Sequence, residues 1–346
     1  MSLIHATAPA LEAISDADAG IELLRADAIG AERGVLDVTM AMRHAGIRRV
    51  GIAWEWQGAT QAPVLVVQGG ISAGRHVAAS GRFAEPGWWQ AQCGPGQAID
   101  TTRCKVLAID WLGGDGNLDV CIDPADQADA IAAVLDHLGI AHVAAYVGAS
   151  YGAMVGLQFA ARHGARLGRL VAISGAHRSH PQVTALRVIQ RRIVALGRSE
   201  GGVREALALA RALAVIGYRS DAEFEQRFDA APQVGTARAR FAVEDYFDAI
   251  GPKFVARFSP TAYVRLSESI DLQDVAPEDI RVPIDIVAVA EDQIVPEADL
   301  LALTERVRGP ARLHRLRSIY GHDAFLKEVS QVGAILAKAL DRSCTA

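Results

Sequence analysis

The chain has few cysteines and no basic cluster, and both features narrow its range of functions. The 346 residues include four cysteines, Cys93, Cys104, Cys121 and Cys344, with no CxxC pair and no histidine at metal-ligand spacing. Neither a zinc site nor a disulfide framework is therefore indicated, and reduced thiols in a cytoplasm fit the pattern. With 35 Lys and Arg against 40 Asp and Glu, the net charge is −5. No nucleic acid and no anionic membrane is therefore expected as a partner.

The sequence also lacks a recognisable secretory signal and a convincing membrane span. The first twenty residues contain three acidic side chains and no basic segment before an apolar run, so secretion is not expected. Residues 143–161 carry no formal charge over 19 positions, which approaches the length of a membrane helix. Three of them, however, are Gly148, Gly152 and Gly156, and glycine is unfavourable inside a helix. The stretch is better explained as a buried strand, a tight turn and a helix.

From residue 48 onward, short β-rich runs alternate with helical patterns, which predicts an α/β fold with a mostly parallel sheet and helices on both faces. The predicted strands are Val50–Trp56, Pro63–Gln68, Lys105–Asp110, Val143–Val147, Leu170–Ser174, Ile284–Val289 and Arg312–Leu316. Residues 179–275 become helical and rich in arginine, which indicates an inserted helical cap. Residues 1–178 and 276–346 would then form one discontinuous core, although residues 1–45 give no clear pattern.

A candidate nucleophile lies in the G-x-S-x-G segment at residues 148–152, directly after one predicted strand and before a helical pattern. In this context the glycines allow a sharp strand-to-helix turn that exposes the Ser150 hydroxyl above the sheet on a strained backbone. The helix N-terminus and the Tyr151 amide would face the negative charge that develops during acyl transfer. We therefore predict that Ser150 is catalytic, with an ordinary turn serine as the alternative.

Such a serine requires an acid and then a histidine later in the chain. The loop after a predicted strand offers Glu291 and Asp292, which the sequence barely separates, and we prefer Asp292 for its shorter side chain. His322 lies beside a glycine on a strand-to-helix loop and is the candidate base. The second oxyanion donor is assigned to the Ile71 amide, in a glycine-rich loop after an earlier strand. That loop lacks the G-x-G-x-x-G spacing of a dinucleotide site.

Several separate segments carry a family resemblance. They are GISAGRHV at 70–77, GWWQAQCGPGQAIDT at 87–101, YRSDAEFEQRF at 218–228, the run at 243–271 and GHDAFLKE at 321–328. Together they resemble the homoserine O-acyltransferases of the α/β-hydrolase superfamily. The resemblance implies an α/β-hydrolase fold and an enzyme of methionine synthesis. Such an enzyme moves an acetyl or succinyl group from acyl-CoA to the γ-hydroxyl of L-homoserine, with no other cofactor and no metal.

The resemblance also implies roles for individual residues. Ser150, Asp292 and His322 match the catalytic triad, and Arg219 and Asp323 match the groups that hold the amino acid. A guanidinium suits the α-carboxylate and a carboxylate suits the α-ammonium. The predicted cap also contains Arg187, Arg191, Arg192, Arg198, Arg204 and Arg211. This arginine-rich face is either a contact for CoA phosphates or simply a solvated surface. The family forms homodimers through the cap helices, although a cap packed only on its own core fits the pattern equally.

The sequence departs from the family near the acyl pocket. Tyr151 stands where methionine is usual, and Ile71 and Ser72 replace leucine and threonine. The acyl donor therefore stays open between acetyl-CoA and succinyl-CoA, and the acceptor between homoserine, serine and another hydroxyl. A small-ester hydrolase using the same triad is a competing interpretation. A noncatalytic binding protein is disfavoured because all three triad members occur in order.

Overall fold

The computed structural model describes residues 29–341, so Cys344 and the segment examined for a secretory signal lie outside the described range. The strands are β1 Ile29–Met42, β2 Gly46–Ala59, β3 Val64–Gln68, β4 Cys93–Gly94, β5 Ile99–Asp100, β6 Lys105–Ile109, β7 Ala145–Ala149, β8 Leu170–Ile173, β9 Gln233–Val234, β10 Ala239–Arg240, β11 Ile284–Val289 and β12 Ala311–Leu316. The α-helices are α1 Pro124–His137, α2 Tyr151–His163, α3 Pro181–Ser199, α4 Val203–Tyr218, α5 Asp221–Arg227, α6 Ala242–Val255, α7 Pro260–Asp271, α8 Glu297–Arg306, α9 Ala324–Lys327 and α10 Val329–Leu340.

Eight strands form the main sheet in the order β1-β2-β6-β3-β7-β8-β11-β12. β2 pairs antiparallel with β1 and β6, whereas every pair from β6 to β12 is parallel. All residues of β7, β8 and β11 are buried, as expected for strands covered on both faces. One apolar cluster includes Ile131 of α1 and Leu157 of α2, and the other includes Leu336 of α10. The predicted α/β-hydrolase architecture is confirmed.

The sheet differs from the sequence prediction at one edge and at one strand boundary. β1 was not predicted, because its half-exposed run contains charged residues and glycines, yet it pairs with β2 over fourteen positions. The predicted strand Val50–Trp56 is only the middle of β2. The strand predicted at Val143–Val147 begins and ends two residues later, because Val143 makes only an isolated bridge to Leu167.

Five helices, α3 to α7, lie between β8 and β11, and we call them the cap helices. α3 buries only Val183, Gln190 and Val194, so most of its surface is exposed or half-buried. The division into a core of residues 1–178 and 276–346 and a cap of residues 179–275 stays a prediction. The uncharged stretch 143–161 contains β7 and most of α2, and within residues 29–341 no helix combines the length and apolar content needed to cross a membrane.

Candidate active site

Ser150 is the single residue between the end of β7 and the start of α2. Its φ is 55°, in the left-handed region that non-glycine residues rarely occupy. A side chain at Gly148 would overlap the carbonyl oxygen of Gly152, and one at Gly152 would overlap that of Gln68. The two glycines therefore let the turn pack directly against β3, with the serine at its apex.

The structure brings Ser150, His322 and Asp292 into a continuous hydrogen-bonded relay. His322 Nε2 lies 2.8 Å from Ser150 Oγ, and its Nδ1 lies 2.7 Å from Asp292 Oδ2. The other carboxylate oxygen of Asp292 accepts hydrogen bonds from the amides of Ile294 at 2.9 Å and Val295 at 3.0 Å. These amides fix the carboxylate, which in turn orients the imidazole.

Glu291, the alternative acid, faces away from this relay. Its Oε2 accepts the Ser318 amide at 2.8 Å and its Oε1 accepts from Arg317 at 3.1 Å. Burial acts to raise the pKa of Glu291, but the hydrogen bonds from these two donors act to lower it and outweigh the effect of burial. The pKa of Glu291 therefore lies below its ordinary value. The geometry therefore favours Asp292 as the partner of the imidazole.

The electrostatic environment of His322 suits a proton acceptor. Burial acts to lower the pKa of the imidazole, whereas the charge and hydrogen bond of Asp292 raise it. The pKa of His322 lies above its ordinary value as a result. The carboxylate would thereby stabilise an imidazolium formed by taking a proton from the serine, as it does in a Ser-His-Asp triad.

Ser150 and His322 line a cavity of about 230 Å³ between the strand ends and the cap helices. Ile71 and Tyr151, the predicted oxyanion residues, also line it. Gly70 brings the backbone close to the nucleophile, because a Cβ built there would stand 4.0 Å from Ser150 Oγ. Both predicted oxyanion residues are thus beside the serine.

The side chain of Tyr151 connects the core to a cap helix. Its hydroxyl lies 2.6 Å from Ser269 Oγ on α7, and its ring meets Trp111 edge-on with a centroid separation of 4.8 Å. Burial raises the pKa of Tyr151 above its ordinary value. The hydroxyl of this residue therefore stays protonated and hydrogen-bonded to the cap helix.

Arg219 and Asp323, the predicted substrate-holding pair, lie next to each other. Arg219 Nε is 3.9 Å from Asp323 Oδ2, and its guanidinium carbon is 5.3 Å from the centre of the Tyr246 ring. Asp323 is among the described residues that line the cavity, whereas Arg219 is not. Arg219 Nε is buried and has no hydrogen-bond partner in the described part of the chain.

Glu223 is a further residue of this region that the sequence analysis did not single out. Its Oε1 accepts from Arg219 Nη1 at 2.7 Å and lies 3.5 Å from Arg227 Nη1. Arg219 lies in the short link before α5 and Glu223 in the first turn of that helix, so their closeness in sequence is the signal that could have identified the pair. Glu223 holds one end of the Arg219 guanidinium beside Asp323.

The three cysteines within residues 29–341, Cys93, Cys104 and Cys121, do not line the cavity. Burial raises the pKa of the Cys93 thiol to about 12, so the thiol stays protonated near neutral pH. Across residues 29–341, no group of three or more His, Cys, Asp or Glu side chains is arranged to hold a metal ion.

Comparison with known proteins agrees with this geometry. Residues 63–329 match the family described as the alpha/beta hydrolase fold. The chain is 51% identical over 340 residues, 98% of its length and 91% of the relative's, to a homoserine O-succinyltransferase from Xanthomonas campestris pv. campestris. The chain belongs to the homoserine O-acyltransferase family. The resemblance carried by the separate motifs is thereby confirmed.

Two further similarities bear on the family's range. A serine O-succinyltransferase from Litchfieldella anticariensis is 30% identical over 325 residues, covering 81% of this chain and 88% of the relative. The crystal structure of a homoserine O-acetyltransferase from Bacillus anthracis gives a TM-score of 0.80 at 15% identity, covering 92% of this chain and 99% of that one. The latter likeness concerns the fold alone.

Proposed function

We propose that this member of the homoserine O-acyltransferase family transfers an acyl group from acyl-CoA to the γ-hydroxyl of L-homoserine through an acyl-enzyme on Ser150. The observation that carries the proposal is the relay from Asp292 through His322 to Ser150, with separations of 2.7 and 2.8 Å. The relay opens into a cavity of about 230 Å³ that both the strand ends and the cap helices line. A noncatalytic binding protein has no need for such an arrangement.

In the first half-reaction, His322 Nε2 takes the Ser150 proton as Oγ attacks the thioester carbonyl carbon. The carbonyl oxygen becomes an oxyanion between the amides of Ile71 and Tyr151, an interaction that usually contributes strongly to acyl transfer. The C–S bond then breaks, the carbonyl reforms, and CoA leaves as a thiol with the proton that His322 held. Ser150 is left acylated.

In the second half-reaction, Asp323 binds the α-ammonium of homoserine and Arg219 binds its α-carboxylate. The buried and unpartnered Nε of Arg219 supports this assignment, because an entering carboxylate would satisfy it. His322 takes the γ-hydroxyl proton, the γ-oxygen attacks the acyl carbon, and Ser150 leaves with the proton. Holding homoserine next to the ester favours its attack over that of water.

The test is a thiol-release assay with acetyl-CoA and succinyl-CoA, each with L-homoserine and with L-serine. We expect release to depend on L-homoserine and to fall by at least about 10³-fold in Ser150→Ala, because the nucleophile is lost. Ser72→Ala is the matched control, since Ser72 lines the same cavity but lies outside the relay, and it should retain turnover. Normal turnover by Ser150→Ala would refute the scheme.

L-Serine is the second candidate acceptor, and the similarity to the serine O-succinyltransferase supports it. Serine carries the same α-ammonium and α-carboxylate on a shorter side chain. If thiol release with L-serine is as fast as with L-homoserine, or faster, L-serine is the proposed acceptor instead. Thiol release at the same rate with and without either amino acid would instead favour a hydrolase that uses the same relay.

We further propose that the enzyme uses acyl-CoA as co-substrate without another cofactor, acts in methionine synthesis in the cytoplasm, and forms a homodimer through the cap helices. The dimer is supported by large apolar side chains exposed on α3 and α4, among them Leu196, Leu209 and Ile216. Light scattering of the purified protein should give twice the chain mass. A monomer at micromolar concentration would contradict this assembly.

A further inference from the structure

One arginine in the cavity differs from its neighbours. Arg178, Arg187 and Arg211 all line the cavity. Arg178 Nη2 is 2.7 Å from Asp299, and Arg187 Nη2 is 2.7 Å from Asp271. Arg211 makes no ion pair and no hydrogen bond with any residue between 29 and 341. It therefore carries a positive charge that no protein carboxylate neutralises.

Arg211 faces the cavity because of its position on α4. Arg211, Ala214 and Tyr218 are spaced by three and four residues, so they lie on one face of the helix, and all three line the cavity. The Arg211 guanidinium carbon is 5.2 Å from the centre of the Tyr218 ring and 5.0 Å from that of Phe254. Contact with two rings limits the guanidinium's freedom and so prepares it for a ligand.

The guanidinium is one aromatic ring away from the catalytic base. The Tyr218 ring that contacts Arg211 has its centre 6.0 Å from that of the His322 ring, and His322 hydrogen-bonds Ser150. An acyl group on Ser150 would extend into the cavity that Arg211 also lines. Three C–C bonds span roughly 4 Å and a charged hydrogen bond adds about 3 Å. A four-carbon acyl group on Ser150 therefore reaches roughly 7 Å into the cavity that Ser150 and Arg211 both line.

We propose that Arg211 binds the terminal carboxylate of a dicarboxylic acyl group of the succinyl class and so selects succinyl-CoA over uncharged donors. This inference rests on the proposed acyl transfer and names its donor. A planar guanidinium accepts a carboxylate through two parallel N–H···O hydrogen bonds. A neutral acyl chain of the same length leaves the partly desolvated charge unpaired, and this difference produces the discrimination.

The test compares succinyl-CoA with butyryl-CoA, which has a four-carbon acyl chain without the terminal charge. Wild-type protein should prefer succinyl-CoA by roughly 10- to 100-fold in kcat/KM, the range typical of a hydrogen bond to a charged group. Arg211→Met should lose that factor for succinyl-CoA and change little for butyryl-CoA. Arg211→Lys should recover part of the preference.

Arg204→Met is the matched control, because Arg204 lies on the same helix, is exposed and lines a different depression. It should keep the wild-type preference. Equal losses with both donors in Arg211→Met would mean that Arg211 contacts the CoA phosphates or supports the fold, and a raised KM for homoserine alone would mean that it binds the amino acid. Equal kcat/KM values of the wild-type protein for succinyl-CoA and butyryl-CoA would also overturn the inference.

A second measurement separates this inference from acyl transfer itself. Mono-4-nitrophenyl succinate and 4-nitrophenyl butyrate acylate a serine nucleophile without CoA or an amino-acid acceptor. If the CoA assays show no transfer, the proposed function fails, but the preference for the charged ester still reports on Arg211. Loss of that preference in Arg211→Met supports the carboxylate site, and an unchanged ratio refutes it.

Discussion

The α/β core and the cap helices build the same cavity by different physical means. The core strands β7, β8 and β11 are buried throughout, and the nucleophile sits on a turn that two glycines pack against β3. The cap helices expose large apolar side chains, such as Leu196 at 65% and Leu209 at 58%, and line the cavity with arginines. In the proposed reaction the core would hold the reacting atoms in fixed positions, whereas the cap helices would supply charges that recognise the ligands.

This contrast predicts separable effects of mutation. Changes to the relay in the core should lower the rate of acylation whatever the acyl group or acceptor. Changes to Arg211 on α4, or to Arg219 directly after it, should alter the use of one ligand and leave the other half-reaction intact. Such a division follows from the principle that chemistry depends on the reacting groups and specificity on contacts to the rest of the substrate.

Apart from loss of Ser150 itself, the largest effect is expected for Asp292→Asn, which removes the carboxylate behind His322. We expect kcat to fall by roughly 10²- to 10⁴-fold, because the imidazole loses its orientation and its stabilising charge. In the proposed scheme neutral His322 is the base, and Asp292 raises its pKa. Removing that charge lowers the pKa, so the acidic limb of kcat/KM for acyl-CoA should move to lower pH.

Glu291→Gln provides the matched control for this pH profile. Glu291 neighbours Asp292 in sequence but binds Ser318 and Arg317 instead of the imidazole. Its replacement should leave the acidic limb in place. An unmoved limb in Asp292→Asn, or an equal shift in both variants, would contradict the assignment of the acid.

A smaller effect, on the acceptor, is expected for Arg219→Met. The KM for homoserine should rise by roughly 10- to 100-fold, because the α-carboxylate loses a charged donor. The rate of the first CoA release, followed in a rapid-mixing experiment without acceptor, should stay unchanged. Arg227→Met is the control, since Arg227 also contacts Glu223 but its side chain is 43% exposed. A slower first release would place Arg219 in the chemistry rather than in recognition.

The relay could be predicted from the sequence because each of its residues lies in a short motif of neighbouring residues. Ser150 needs a strand, two glycines and a helix, all adjacent in the chain, and Asp292 and His322 each follow a strand in the expected order. The α/β pattern after residue 48 is local in the same sense. The three residues follow parallel strands, and the carboxyl ends of parallel strands lie at the same edge of the sheet. This arrangement brings the three residues together.

Other features could not be predicted because they depend on packing between distant segments. The sequence of β1 is polar and contains glycines, so it does not predict a strand by itself. The strand is stabilised by its pairing with β2. Arg211 looks like any other arginine of the cap, and its lack of a carboxylate partner appears only when α3, α4 and α6 are packed together. The sequence favoured Asp292 over Glu291 only by side-chain length, whereas the structure separates the two acids by the directions in which their side chains point.

The smallest effect is expected where core and cap meet, at the buried hydrogen bond between Tyr151 and Ser269. Tyr151→Phe leaves the Ser269 hydroxyl unsatisfied at a site with no solvent exposure, so the free energy of unfolding should fall by about 1–2 kcal/mol. Ser269→Ala should cost at most a similar amount, because the tyrosine hydroxyl loses one of its partners. The double variant should cost less than the sum, because neither buried group is then left without its partner. If the losses of unfolding free energy measured in urea for the two single variants add up to that of the double variant, this hydrogen bond does not couple the core to the cap helices.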